Sequence, residues 1–309
     1  MGKRAIVTGG AGFIGSHVVD ALLADGAEVA VIDDLSTGSR ERIADQATLH
    51  ELDIVDAEQL SAVVAAFEPQ AVFHLAAQAS VVASVADPAR DCAVNVQGTL
   101  NVLQAAGRAG APVVFTSTGG ALYGDEAPMP TPEDRIPAPL SPYGASKWAA
   151  EAYVRTWALS SGTPHAVCRL GNVYGPRQNP HGEAGVVAIF SEHLYDGRRP
   201  TLYGHGRPTR DYIYVEDVVS AMLAACSHAG VYNIATGVET DVMTIWQRLS
   251  EIAGVSIEPE LADLRPGELQ HSRLDISRAR AELGWEPGIA IAEGLALTYE
   301  ALLAEFEAR

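Results

Sequence analysis

Ala5-Ile6-Val7-Thr8-Gly9-Gly10-Ala11-Gly12-Phe13-Ile14-Gly15 decides the fold. A short apolar run enters a glycine-rich turn, and the helical pattern His17 to Ala24 follows. Gly10, Gly12 and Gly15 fit G-x-G-x-x-G, while Gly9, Gly12 and Gly15 fit G-x-x-G-x-x-G. In either reading a strand, a turn and a helix succeed one another. Bare backbone can then approach a pyrophosphate, whose charge sits at the positive helix N-terminus. A tight turn in any α/β protein is the plainer account of the same glycines. Asp33 favours the first account, because it ends the next apolar run about 20 residues further on, where a carboxylate accepts from both ribose hydroxyls and repels a 2'-phosphate. The expected cofactor is therefore NAD rather than NADP. Asp53 and Ile54, after a third run, either flank the adenine or form an ordinary strand-end turn.

The pattern repeats outward from this unit. Strand-like runs at Glu28 to Ile32, Leu49 to Leu52, Ala71 to Leu75, Val113 to Thr116 and Ala166 to Leu170 alternate with helical stretches at Ala57 to Phe67 and Cys92 to Ala109. Such alternation means βαβ units and a parallel sheet. The fold class is thus α/β, a Rossmann-type doubly wound parallel sheet. Six prolines between Pro128 and Pro142 require a long loop. After Gly175 the regular alternation stops, and a smaller, discontinuous α/β substrate-binding lobe is expected. Residues 1–174 and 212–238 are assigned to the cofactor unit, and 175–211 with 239–309 to the lobe. Tyr212 to Val215 and Val231 to Ala235 read as returning strands, with helices near Thr244 to Ala253, Ile276 to Leu283 and Ala292 to Phe306.

Composition narrows the function. The 309 residues carry a formal charge of -18, which excludes the extended basic footprint of a nucleic-acid or anionic-membrane partner. Three scattered cysteines give no disulfide framework, and neither they nor the nine histidines have metal-ligand spacing. The first strand begins too early for a signal peptide, and no apolar run reaches the roughly 20 residues of a membrane helix. A soluble, cytoplasmic protein without a metal is expected.

Of 21 basic side chains only Lys3 and Lys147 are lysines, and Lys147 follows Tyr143 by four in Ser141-Pro142-Tyr143-Gly144-Ala145-Ser146-Lys147. Ser141 suits an N-cap and Pro142 the first helical position, so Tyr143 and Lys147 share one helix face. An ammonium beside an oxidised nicotinamide lowers a phenol's pKa toward neutrality, and the phenolate can take a proton from a substrate hydroxyl. The blander reading is a surface ion pair between Lys147 and Glu151, with Tyr143 merely packing.

These segments, with His74-Leu75-Ala76-Ala77, Asn95-Val96-Gln97-Gly98-Thr99, Ser117-Thr118 through Tyr123-Gly124, Arg210-Asp211-Tyr212 and Leu283-Gly284-Trp285, resemble the extended short-chain dehydrogenase/reductase family over essentially the whole chain. The resemblance implies Tyr143 as catalytic acid/base and Lys147 as the group that binds the nicotinamide ribose. It also implies a hydroxyl on the reacting sugar, at Thr118 or, given one extra residue in the following segment, Ser117. An NAD site is implied at Gly9, Gly12, Phe13, Ile14, Gly15, Asp33, Asp53, Ile54, Leu75, Ala76, Ala77, Asn95, Ser117, Tyr143 and Lys147. A UDP-sugar is expected at Thr118, Tyr143, Asn172, Arg210, Arg265, Glu268 and Ser272.

Within the family, 4,6-dehydratases follow the active-site threonine with Asp-Glu, and glucuronate decarboxylases carry a glutamate in this loop. Here Gly119, Gly120 and Ala121 stand instead. The implied reaction is 4-epimerisation, interconverting UDP-glucose and UDP-galactose through a transient 4-keto sugar. Small Ser272 implies room for N-acetyl sugars, while Asn172 and Asn179 replace the threonine and arginine expected for UDP-glucuronate. A 4-epimerase of another nucleotide sugar and a non-catalytic NAD-binding sensor are the alternatives. The family commonly dimerises through helices near Asp91 to Ala109 and Pro142 to Ser161, so a homodimer is expected. Trp148, Ala152 and Trp157 face either a partner or the monomer core.

Overall fold

The computed structural model describes residues 3–181, 185–265 and 269–308. Seven parallel strands form the central sheet: β1 (Arg4–Thr8), β2 (Glu28–Asp33), β3 (Thr48–Glu51), β4 (Ala71–His74), β5 (Val113–Thr118), β6 (Ala166–Leu170) and β11 (Gly230–Ile234). Their order, β11-β6-β5-β4-β1-β2-β3, reverses direction between β1 and β4, where the loops after both strands diverge to open a crevice. Alternate residues bury opposite faces. Ala5, Val7, Val29 and Val31 meet α1 (Phe13–Ala24) and α8 (Val215–Ala225), whereas Ile6, Ile32, Val72 and Phe115 belong to a second core. That second layer contains α2 (Ala57–Phe67), α5 (Thr99–Arg108) and α6 (Pro142–Ser161).

The helix expected from Cys92 to Ala109 begins earlier. Asp87 caps α4 (Pro88–Cys92) by accepting from Arg90 N, and a π-helical turn, Ala93–Gly98, carries the helix on into α5. A short α3 (Val81–Ala86) precedes it. Ser141 caps α6 by accepting from Gly144 N at 3.2 Å, with Pro142 in first place, as its sequence requires.

A second group of elements lies outside the central sheet: β7 (Asn172–Tyr174), α7 (Val186–Tyr195), β8 (Thr201–Tyr203), β9 (Thr209–Arg210), β10 (Tyr212–Tyr214), β12 (Thr240–Asp241), α9 (Val242–Ala253), β13 (Glu260–Ala262) and α10 (Ile291–Glu307). Phe190, Leu194, Ile245, Trp246, Leu249 and Leu295 form its core, with the Phe190 and Trp246 rings edge to face at 5.3 Å. β7 and β10 pair with each other, outside the central sheet, although α8 and β11 then return to it. Two contacts join α1 to the segment after β7: His17 Nε2 meets the Pro176 carbonyl at 3.0 Å, and Arg177 pairs with Asp20 at 2.7 Å. No helix among the described residues is long and apolar enough to cross a membrane.

Candidate active site

The glycine turn closes on itself, with Gly12 N donating to Gly9 O at 3.1 Å. Gly9 has φ +72°, and Gly15 packs so closely on the Gly9 carbonyl that any side chain there would strike it. Gly12 caps α1 without a side chain, leaving the first helical amides open to an anion. Asp33, buried at the end of β2, accepts from Ala11 N and Leu35 N, each at 2.9 Å. Burial pushes its carboxyl up, while these two amides pull it down. The acid is thereby fixed against the glycine turn.

Leu75 N and Ala76 N both donate to Thr8 O at 3.0 Å, which draws the loop carrying Leu75, Ala76 and Ala77 against the turn. Asp53 lies on the far side. Its oxygens accept from Val55 N at 2.9 Å and Arg90 Nη2 at 3.1 Å, and Ile54 is buried beneath Gly98.

A buried polar chain leads from the glycine turn to the Tyr/Lys helix. Thr8 Oγ1 contacts His74 Nδ1 at 2.7 Å, His74 Nε2 contacts Thr99 Oγ1 at 2.9 Å, and Thr99 donates to the Asn95 carbonyl. Asn95 accepts from Gln78 N and donates to Ser146 Oγ at 3.0 Å; Ser146 in turn donates to the Tyr143 carbonyl. Full burial, aided by Lys147, pushes His74 down to about 3, so the imidazole is neutral. The π-helical turn aims Asn95 at both partners.

Tyr143 is half-buried, and its phenol is closely surrounded. Desolvation pushes it up to about 12, with a hydrogen bond from Thr118 pulling down and Asp91 pushing up. Lys147 is buried, with Nζ 4.7 Å from the centre of the Phe115 ring. Its burial lowers the ammonium to about 8, against the pull of Glu151 and Asp91. The fall toward neutrality expected for the phenol is not produced by these residues, whose net effect is to raise it.

The family model described as "NAD dependent epimerase/dehydratase family" matches residues 5–235, the stretch that contains the glycine turn, Asp33, Thr118, Tyr143 and Lys147. The chain belongs to this family. As an NAD-dependent epimerase/dehydratase it is 47% identical over 306 residues to the UDP-glucose 4-epimerase of Mycolicibacterium smegmatis, spanning 96% of this chain and 97% of that one. The crystal structure of a Thermotoga maritima UDP-glucose 4-epimerase with UDP-glucose is 45% identical, with a TM-score of 0.96 over 98% of this chain and 99% of the other. A Thermus thermophilus UDP-glucose 4-epimerase complexed with NAD is also 45% identical, at a TM-score of 0.89 over 96% and 98%. NAD is accordingly the cofactor of this epimerase/dehydratase, and the glycine turn, Asp33 and the Tyr143/Lys147 pair fit it.

The two candidate hydroxyls separate clearly. Thr118 Oγ1 accepts from Ala121 N at 3.1 Å and lies at the Tyr143 phenol. Ser117 Oγ donates to buried Glu151 at 2.5 Å, away from it. Glu151 is also the acid of Arg169 at 2.6 Å, which overturns the alternative of a surface ion pair with Lys147.

Beside Thr118 a cleft of about 350 Å³ opens, lined by Gly119, Gly120, Tyr123, Asp125, Met129, Thr131, Gln270, His271 and Ser272. Asn172 overhangs its floor: a Cβ on Gly120 would lie 3.6 Å from Asn172 Oδ1. Arg210, on β9, donates to the Thr209 carbonyl at 2.8 Å. Arg265 is exposed, its guanidinium 3.7 Å above the Tyr203 ring. Glu268 lies outside the described residues. Trp148 and Ala152 are exposed, whereas Trp157 packs into the core near Gly107.

Asp91, Glu151, Arg169 and Asn233 were not anticipated as part of this site. The available signal was charge where burial was expected: Arg169 stands inside the otherwise apolar run Ala166–Leu170.

Proposed function

We propose that the chain is a UDP-glucose 4-epimerase. The observation that carries the reading is the cleft that begins beside Thr118, where Gly119 and Gly120 stand in place of the acid pair a dehydratase uses for elimination. NAD, when bound, supplies a reversible hydride acceptor. Tyr143 takes the C4 hydroxyl proton and later returns it, and Thr118 holds that hydroxyl in line by hydrogen bonding. Buried Lys147 orients the nicotinamide ribose and favours the phenolate. Asn172, Arg210, Arg265 and Glu268 hold the UDP moiety, the two arginines suiting a diphosphate. Binding energy from UDP, remote from C4, retains the 4-keto sugar while it turns to present its other face.

Incubation with UDP-galactose should yield UDP-glucose without net change in NAD. No conversion by NAD-loaded protein would overturn the assignment. The cleft beside Ser272 supports acceptance of N-acetyl sugars as well. We place the enzyme in the cytoplasm as a homodimer. Exposed Val82, Val85, Trp148 and Tyr153, on the neighbouring helices α3 and α6, support an apolar contact between copies.

A further inference from the structure

Below the reacting groups lies a second, fully internal polar layer. Ser117, Arg169 and Asn233 stand in register across β5, β6 and β11, one residue before the row of Thr118, Leu170 and Ile234. Glu151 covers this row from α6, on the face that also carries Tyr143 and Lys147 at successive four-residue intervals. Glu151 accepts from Ser117 Oγ, from Arg169 Nε at 3.0 Å and from Arg169 Nη2 at 2.6 Å. Arg169 Nη1 donates to the Tyr123 hydroxyl at 2.7 Å and the Glu133 carbonyl at 3.0 Å, and Tyr123 donates to Asn233 Oδ1 at 2.9 Å. Asn233 N donates to Glu133 Oε1, completing the link to the proline-rich loop.

Burying two full charges is expensive, and an apolar pair of like volume commonly serves stability as well or better. What the ions add is direction. One bonded set fixes the end of β5, the face of α6 and the loop that walls the cleft. It also keeps the charge beneath Lys147 balanced. Among the described residues, the other charged or titratable groups around Lys147 and Tyr143 are Asp91 from α4 and neutral His74 from β4. Arg90 is drawn off to Asp53 and Arg108 to Ser61, while Cys168 lies in the opposite core with its thiol pushed up to about 12.

We propose that the Glu151–Arg169 pair is a positioning element of the active site, which aligns Thr118 with Tyr143 and balances the charge beneath Lys147. The proposal rests on the epimerase reading, so one of its tests is independent of turnover. In Glu151→Gln the unpaired Arg169 leaves a net positive charge under Lys147, and Tyr143 should ionise at lower pH. Tyrosinate difference absorbance, taken between the NAD-loaded protein and the same protein carrying Tyr143→Phe, reads this directly. A midpoint at least about half a unit below that of the parent protein is expected, with the acid limb of the kcat profile moved the same way. An unchanged midpoint overturns the proposal even if the protein converts no UDP-galactose. Should Glu151→Gln fail to fold, the apolar double variant Glu151→Leu/Arg169→Met keeps the question open to decision. Its kcat should fall roughly tenfold or more, with KM for UDP-galactose little changed. A folded double variant with kcat within about twofold of the parent would mean that the pair serves only the fold.

Discussion

Gly9 lies so close beneath Ala76 that a Cβ on Gly9 would stand 2.6 Å from the Ala76 amide nitrogen. Backbone meets backbone there, so no side-chain rotation can relieve it. Gly9→Ala adds a φ +72° conformation that alanine tolerates at a cost of about 1–2 kcal/mol. The variant should lose most of its bound NAD, measured as nucleotide released on denaturation. Full retention of NAD would show that the turn can shift without cost.

Tyr143→Phe should lower kcat by roughly 10²- to 10⁴-fold with NAD still bound. Lys147→Arg conserves charge yet brings a broad fork into a space closed by Phe115, Asp91 and Glu151, and should lose roughly a hundredfold. Near-normal turnover in Lys147→Arg would mean that only the charge matters. Coupled conversion of UDP-galactose reads both.

Thr118→Val removes the hydroxyl at the Tyr143 phenol without loss of volume and should lower kcat by roughly a hundredfold. Ser117→Ala removes one of four hydrogen bonds to Glu151 and should act several-fold more weakly. The reverse order of effects would exchange their roles.

Ser272→Tyr should fill part of the 350 Å³ cleft. Activity toward UDP-N-acetylglucosamine should fall roughly tenfold or more relative to that toward UDP-glucose. Equal losses on both substrates would place the N-acetyl group elsewhere.

His74 carries a prediction about acid stability. An unfolded histidine titrates near 6.5, whereas buried His74 does so at about 3, so between these values the unfolded chain binds more protons. Stability should fall as pH drops below 6.5, by up to about 1.4 kcal/mol per pH unit from this group, until about pH 3. His74→Gln should flatten that slope in denaturant titrations, leaving a remainder from His17, His165 and His193, which burial also lowers. An undiminished slope would assign the acid sensitivity to other groups.

The cofactor half was legible because local chemistry and global fold agree there. Ala57–Phe67 is one helix in both readings, capped by Asp56, and Pro142 could hardly stand anywhere but the first turn of α6. The choice between Ser117 and Thr118 was not legible, since adjacent strand residues face opposite ways and only the twist at the end of β5 decides which meets Tyr143. Glu151 was misleading for a different reason. A Lys-x-x-x-Glu spacing reads as an exposed ion pair, and nothing local reveals that Arg169, on a strand 18 residues later, takes the acid instead. The proline-rich segment is a loop, as its composition requires. Its burial comes from partners far along the chain: Thr131 bridges to Leu274, and Glu133 accepts from Asn233.

Asp211, 1% exposed, accepts from Thr236 N and Oγ1, Gly237 N and Leu274 N, thereby joining the start of β10, the segment after β11 and the segment around Leu274. Three passages of the chain that lie far apart in sequence meet at one carboxylate. None of these passages can therefore be cut out without breaking this junction, and a single melting transition is expected. Heat or denaturant should dismantle the dinucleotide site and the sugar site together, so that damage confined to one lobe is felt as lost order in both.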